Sequence, residues 1–177
     1  MRGGLIYLDT NVLLARYVPD ESGHLESKNL MVKIEEGDHM AITSVLTLLE
    51  VVSTVSRAYT RFSGETVYNR EKVSGAFLKR VLNIRNLSFI PAGGEVSTAM
   101  QGQRIMLPVL FNIALEIGAQ SGVKTLDNLH LASASIASRI YGKNIDYFVT
   151  LDKDMLDHME DIFRIISVRT ARPSDVL

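Results

Sequence analysis

Leu5-Ile6-Tyr7-Leu8-Asp9-Thr10-Asn11 is the stretch from which the rest of the chain can be read. A short apolar run without alternation, Leu5 to Leu8 reads as a strand buried on both faces. The run stops at Asp9, and Asn11 to Tyr17 can form a short helix that ends near Pro19. Open α/β sheets bind ligands beyond the carboxyl ends of their strands. An acid placed directly after a buried strand is therefore a candidate for a site.

The same alternation repeats outward from this point. Leu25 to Glu36 has a loose helical spacing, Gly37-Asp38 is a turn, and Met40 to Thr43 is a second strand. From Ser44 a helix carries Leu48, Val51, Val52 and Val55 on helical spacing and ends before Ser63-Gly64. Glu65 to Asn86 forms a long charged helix with Val73, Phe77, Val81 and Ile84 on one stripe. Leu87 to Ile90 is a third strand, stopped by Pro91. Glu95 to Ala119 reads as helical, kinked or divided at Pro108. Thr125 to Tyr141 is a helix rich in Ala and Ser, Tyr147 to Thr150 a fourth strand and Arg164 to Val168 a fifth. The tail from Thr170 contains Pro173 and is expected to fray. Strands separated by helices imply right-handed crossovers and a mainly parallel sheet of about five strands, covered on both faces. One α/β domain over 1–177 is expected, with surplus helical length around 61–119.

Composition narrows the class. The chain has 177 residues, 46% hydrophobic and 22% charged, which is ordinary for a globular domain. With no cysteine there is neither a disulfide framework nor a thiolate site. No apolar run approaches the roughly 18 residues of a membrane span, and Met1-Arg2-Gly3-Gly4 has no secretory signal. A cytoplasmic protein with no membrane partner is the expectation. The net charge of −1 argues against wrapping nucleic acid by bulk positive charge. A local basic rim could still hold phosphate, with Arg57, Arg61, Arg70, Lys72, Lys79, Arg80 and Arg85 as candidates. Solvated helix faces account for each of these equally well.

The acids carry the chemistry. Asp9 and Asp152 follow strands, Glu50 lies early in the helix after the second strand, and Asp127 opens Leu126-Asp127-Asn128-Leu129-His130-Leu131-Ala132. Carboxylates crowded together repel unless protons or a cation offset them, and hard divalent ions favour oxygen ligands. That points to Mg2+ or Mn2+ and to phosphodiester chemistry. Each acid also has a local explanation. Asp9 and Asp152 can cap helices, Thr47 and Glu50 match a T-x-x-E capping box, and Asp127 suits a helix dipole. Caps explain the residues singly, but explain less well why all of them fall on one rim. His130, three residues after Asp127, can share its helix face and act as a ligand or acid, although packing beside the site is the commoner role. His24, His39 and His158 lack metal-ligand spacing. Pro91-Ala92-Gly93-Gly94-Glu95 lacks the lysine of a phosphate loop.

Four segments in order resemble the PIN domain, the PilT N-terminus-like nuclease family that includes the toxins of bacterial and archaeal toxin–antitoxin pairs. They are Tyr7-Leu8-Asp9-Thr10-Asn11-Val12-Leu13, Thr43-Ser44 with Glu50, Leu126 to Ala134, and Phe148-Val149-Thr150-Leu151-Asp152-Lys153-Asp154-Met155. The resemblance implies a three-layer α/β/α sandwich and a metal-dependent endoribonuclease with Asp9, Glu50, Asp127 and Asp152 as its acidic quartet. Asp9 and Asp127 are then expected as direct metal ligands, and Asp152 as a direct or water-bridged one. Glu50 would position or deprotonate the attacking water. Thr10, Asn11 and Thr150 would support the acids, and Asp154 could share or replace the role of Asp152. Expected partners are RNA and, for a toxin, an antitoxin protein that occludes the acidic cleft. The apolar residues from Leu107 to Ile117 suggest a homodimer, although such stripes more often belong to the core. The rival readings are a non-catalytic RNA-binding or scaffold protein, a structure-specific DNA nuclease and a phosphoacceptor domain. For the last, the paired acids on the first strand and the lysine after the final one are missing.

Overall fold

The computed structural model describes residues 3–59 and 69–177. One parallel sheet forms its centre, in the order β3-β2-β1-β6-β7. These strands are β1 (Leu5–Leu8), β2 (Met40–Ser44), β3 (Leu87–Ile90), β6 (Tyr147–Val149) and β7 (Arg169–Ala171). Between them run α1 (Thr10–Ala15), α2 (His24–Glu36), α3 (Leu46–Arg57) and α4 (Arg70–Leu82). After β3 come a hairpin of β4 (Glu95–Met100) and β5 (Gln103–Pro108), then α5 (Val109–Ser121) and α6 (Thr125–Tyr141). Helices α7 (Lys153–Asp157) and α8 (Met159–Ile166) connect β6 to β7.

The side-chain period of two divides β1 between two cores. Leu5 and Tyr7 join Ile42, Phe148 and residues of α5, α6 and α8 on one face. Ile6 and Leu8 join Ala41, Val149 and residues of α1 to α4 on the other. All four β1 residues are buried, as its unbroken apolar run requires. The result is the expected α/β/α sandwich. Strand β1 pairs with β2 on one side and β6 on the other, so the chain switches direction across the sheet at the β1–β6 seam. Ligand sites form at such switch points. In this seam Leu8 stands opposite Val149, so Asp9 and Thr150 emerge side by side.

Residues 95–108 depart from the helical expectation. They form an antiparallel hairpin closed by Gln101 (φ 48°) and Gly102 (φ 80°). Two successive positive φ values match the twist of paired strands, and Gly tolerates one of them without strain. Val96 and Thr98 are half-buried between exposed neighbours, a period of two that the apolar count had concealed. Pro108 ends β5 and starts α5, so it does not kink a helix.

The fifth strand is also displaced. Residues 164–166 belong to α8, where Ile162, Ile165 and Ile166 pack at helical spacing against the core. Ser167 ends that helix at φ 56°, and the strand follows at Arg169. Propensity of so short a β-branched segment is weak, and packing overrides it. The tail is not frayed, because Pro173–Asp175 form a 3-10 turn and Val176 is buried in the second core. The ends of the two middle helices expected near Ser63-Gly64 and Glu65 lie outside the described residues. Among the described residues, no helix is long and apolar enough to cross a membrane.

Candidate active site

Asp9 occupies the N-cap position of α1, yet its side chain makes no capping bond. Its Oδ2 instead accepts hydrogen bonds from Asn11 Nδ2 (2.7 Å) and Thr150 Oγ1 (2.7 Å). Asn11 also donates to Thr150 Oγ1 (3.1 Å) and accepts from the Leu151 amide (3.0 Å). A single asparagine thus ties the end of β1 to the end of β6 and aims the aspartate. Burial pushes the Asp9 carboxyl upward, partly offset by the charge of His130 and the Thr150 hydroxyl.

Glu50 lies inside α3, whose N-cap is Val45, so Thr47 and Glu50 do not form a capping box. Thr47 belongs to a hydroxyl chain. Thr43 donates to Leu8 O (2.8 Å), which leaves its oxygen to accept from Thr47 (2.7 Å). Thr47 in turn accepts from Thr10 (3.1 Å), whose hydroxyl also points at Glu50 Oε2. His130 Nε2 meets the same Oε2 at 2.7 Å, and His130 Nδ1 meets the Tyr7 hydroxyl at 2.8 Å. Burial alone would raise the Glu50 carboxyl, but the hydrogen bond and charge of His130 hold it below its ordinary value. Burial would lower His130, but Glu50, Asp9 and Asp127 outweigh it and raise it. Both shifts favour the charged forms of the pair, and a protonated His130 donates from both ring nitrogens.

Asp127 stands in the first turn of α6, and its Oδ2 is buried with no hydrogen-bond partner among the described residues. Burial, Asp9 and Asp152 together push its carboxyl up to about 6. Asp152 caps α7 by accepting from the Asp154 amide (2.8 Å), and its own amide donates to Thr150 Oγ1 (2.9 Å). Its side chain borders a recess of about 320 Å³ lined by Asn11, Leu14, Val18, Thr54 and Leu151. Asp154 has the Lys124 ammonium 3.5 Å from its Oδ2, and its backbone oxygen has His158 Nδ1 at 2.8 Å.

The acids that come from β1, α6 and the end of β6 thus share one field at the switch point, and α3 brings Glu50 to its edge. Residues 6–161 match the family model of the PIN domain. This chain belongs to the PIN-domain family. No curated protein matches the chain. PIN domains are generally nucleases, and they typically use divalent metal ions.

In this PIN domain the donor set suits such an ion. Asp127 presents an unpaired buried oxygen between two further carboxylates, an arrangement that cations relieve. The set is open, since among the described residues no three acidic or histidine side chains close around a single point. Magnesium keeps several waters and takes only one or two direct carboxylates, so a closed cage is not what it needs. Asp9, Asp127 and Asp152 are the carboxylates that could hold a divalent ion.

Two contributors, Tyr7 and Lys124, escaped the sequence, and a third was named without its partner. Tyr7 had been counted as apolar, yet a buried phenol needs a hydrogen-bond partner, and that was its signal. His130, named as a candidate ligand or acid with packing as the commoner role, is hydrogen-bonded to Glu50 through Nε2. Lys124 lies three residues before Asp127, on the same side of the helix start. Of the proposed rim, Arg57, Arg70, Lys72, Lys79, Arg80 and Arg85 are exposed, while Arg61 lies outside the described residues. Arg70 lies over Tyr59, and Arg80 over Tyr17 and Phe77.

These shifts fix how the metal-free protein responds to pH. Asp127 rises from 3.8 to about 6, so the folded state holds the extra proton in that interval and loses stability as pH climbs through it. Asp9, also raised, acts in the same direction. His130 is raised above 6.5, so its contribution is complete below that pH and fades through its higher folded value. Glu50 opposes them only where pH falls below 4.5 towards its lowered value. In EDTA the melting temperature is expected to fall steadily as pH rises from about 4.5 to above 6.5. Magnesium or manganese should raise it most at the upper end. A melting temperature that climbs across this range would mean that Asp127 is ionised without cost.

Proposed function

We propose that this PIN domain is a divalent-metal-dependent endoribonuclease, of the kind that serves as the toxin of a toxin–antitoxin pair. The observation that carries this reading is the buried, unpartnered Oδ2 of Asp127 facing Asp9 and Asp152. Holding such a group without a cation costs stability. A protein that only scaffolds or binds RNA has no use for that cost.

Asp9, Asp127 and Asp152 would hold Mg2+ or Mn2+, which supplies a water of lowered pKa and offsets charge on the phosphoryl oxygens. Asn11 and Thr150 fix the direction of the Asp9 carboxylate. Glu50 takes His130 and Thr10 on Oε2, leaving Oε1 to receive a hydrogen bond from the attacking water. Because His130 holds Glu50 below its usual range, Glu50 orients that water more than it deprotonates it. Thr10, through the hydroxyl chain from Leu8, keeps Glu50 in register with β1. Among the described residues there is no added element that grips a duplex, which favours RNA over DNA as substrate.

An antitoxin would bring a basic side chain to the same acids. A second copy of the chain would cover Phe111 and Leu115 of α5 and Met106 of β5, which are apolar and exposed.

The deciding experiment is cleavage of a panel of end-labelled structured and single-stranded RNAs, with manganese or with EDTA. The expected result is metal-dependent cutting that leaves 5′-phosphate and 3′-hydroxyl ends and is lost in Asp9→Asn. Cyclic 2′,3′-phosphate ends, or cutting that persists in EDTA, would sink the mechanism. Binding of RNA without cleavage of any member of the panel would favour the scaffold reading.

A further inference from the structure

We infer that Lys124 is the substrate-phosphate ligand of this site: its ammonium holds a non-bridging phosphate oxygen of the RNA strand beside the bond that is cut. This rests on the ribonuclease reading above.

A polyanion must approach Asp9, Asp127, Asp152 and Asp154, and one divalent ion does not offset them all. His130 is buried and committed to Glu50 and Tyr7, so it cannot reach a phosphate. Arg70 and Arg80 lie over aromatic rings, and Arg16 is paired with Glu35 at 2.9 Å. On one side of Asp152, the recess is lined by Asn11, Leu14, Ala15, Val18, Glu21, Thr54, Ala58 and Leu151, without a basic residue. On the other side stands Lys124, whose charge interacts with Asp152, Asp154 and Asp127. Among the described residues, a strand crossing Asp152 can meet a cation at Lys124.

Helix capping does not account for a lysine here. Lys124 is the N-cap residue of α6, where a positive charge opposes the helix dipole and the side chain makes no capping bond. Its ion pair with Asp154 is 3.5 Å long, with the two side chains 70% and 38% exposed. Exposed pairs of this kind contribute little and exchange partners readily. The ammonium can leave Asp154 for a phosphate while staying over the acids that hold the metal.

The test measures binding of a short fluorescent single-stranded RNA of mixed sequence by anisotropy, in calcium, between about 50 and about 200 mM salt. Lys124→Ala is expected to weaken binding about fivefold at the lower salt and to reduce the salt slope by about 0.7, one phosphate contact on a single strand. Lys124→Arg should retain both. Asp154→Asn should tighten binding, since it frees the lysine and removes a negative charge. Unchanged affinity and slope in Lys124→Ala would overturn the inference. So would an Asp154→Asn variant that weakens binding as much as Lys124→Ala, because the lysine would then serve only its carboxylate partner. If the wild-type protein binds no RNA at all, the ribonuclease reading itself fails, a result distinct from either of these.

Discussion

In EDTA at pH 7, Asp127→Asn is expected to melt roughly 2–4 °C above the wild-type protein, a gain on the order of 1 kcal/mol for a chain of this length. In magnesium the same variant is expected to cleave RNA about 10³-fold more slowly, equivalent to about 4 kcal/mol of transition-state stabilisation. The opposite signs share one cause. At pH 7 the Asp127 carboxyl, pushed up to about 6, must ionise in a half-buried position beside Asp9 and Asp152, with one oxygen unpaired. An amide of the same shape carries no charge and can donate to either neighbour. It is also a poor ligand for a hard cation. Thermal melts with and without metal, combined with single-turnover cleavage, measure both effects. A variant less stable than wild type in EDTA would show that the unpaired oxygen costs nothing.

His130→Ala should produce the largest loss of stability. His130 is 1% exposed and links Tyr7 to Glu50 through its two ring nitrogens. Its removal leaves a carboxylate without its cation, a buried phenol without its donor and a cavity between β1 and α6. Breaking a buried ion pair costs about 3 kcal/mol, the lower end being apt because Glu50 is partly solvated. The melting temperature is then expected to fall by roughly 6–12 °C. His130→Gln, which can still donate to Glu50, should recover part of it. The deficit of His130→Ala should also shrink at alkaline pH, where the wild-type imidazole loses its proton and the pair its charge. A melting temperature within a degree of wild type would mean that the bridge contributes nothing.

What could be read from the chain, and what could not, follows from the distance over which each signal acts. Asp9 and Asp152 were legible because an apolar run followed by an acid is a local event, and the parallel pairing of Leu8 with Val149 does the rest. Asp127 was legible from its place at the start of a long, evenly spaced helix. Glu50 was harder, because Thr47 imitates a cap until the true N-cap, Val45, is known. The Tyr7–His130–Glu50 bridge was illegible for a different reason. His130 and Glu50 are 80 residues apart, and nothing near either one specifies the other. The hairpin was misread because Val96, Ile105, Met106 and Leu107 fit either period over so short a span, and Gln101 is not a usual turn residue. Of the two acids after β6, the sequence reading placed Asp152 in the quartet and Asp154 as a possible substitute; Asp152 acts on Asp127, and both acids act on Lys124.

The opposition of Leu8 and Val149 has a consequence for which changes this chain can accept. Side chains along a strand alternate with a period of two, so a shift of one residue exchanges the faces completely. Deleting or inserting one codon within Leu5–Leu8 would send Tyr7 into the wrong core and carry Asp9 away from Thr150 together. No single compensating substitution could restore both. The turn at Gln101-Gly102 has no such register with the acids, so length variation there leaves their geometry untouched. Across descendants of this sequence, gaps should accumulate at the hairpin tip, and the spacing from Tyr7 to Asn11 should stay fixed even where the residues themselves drift.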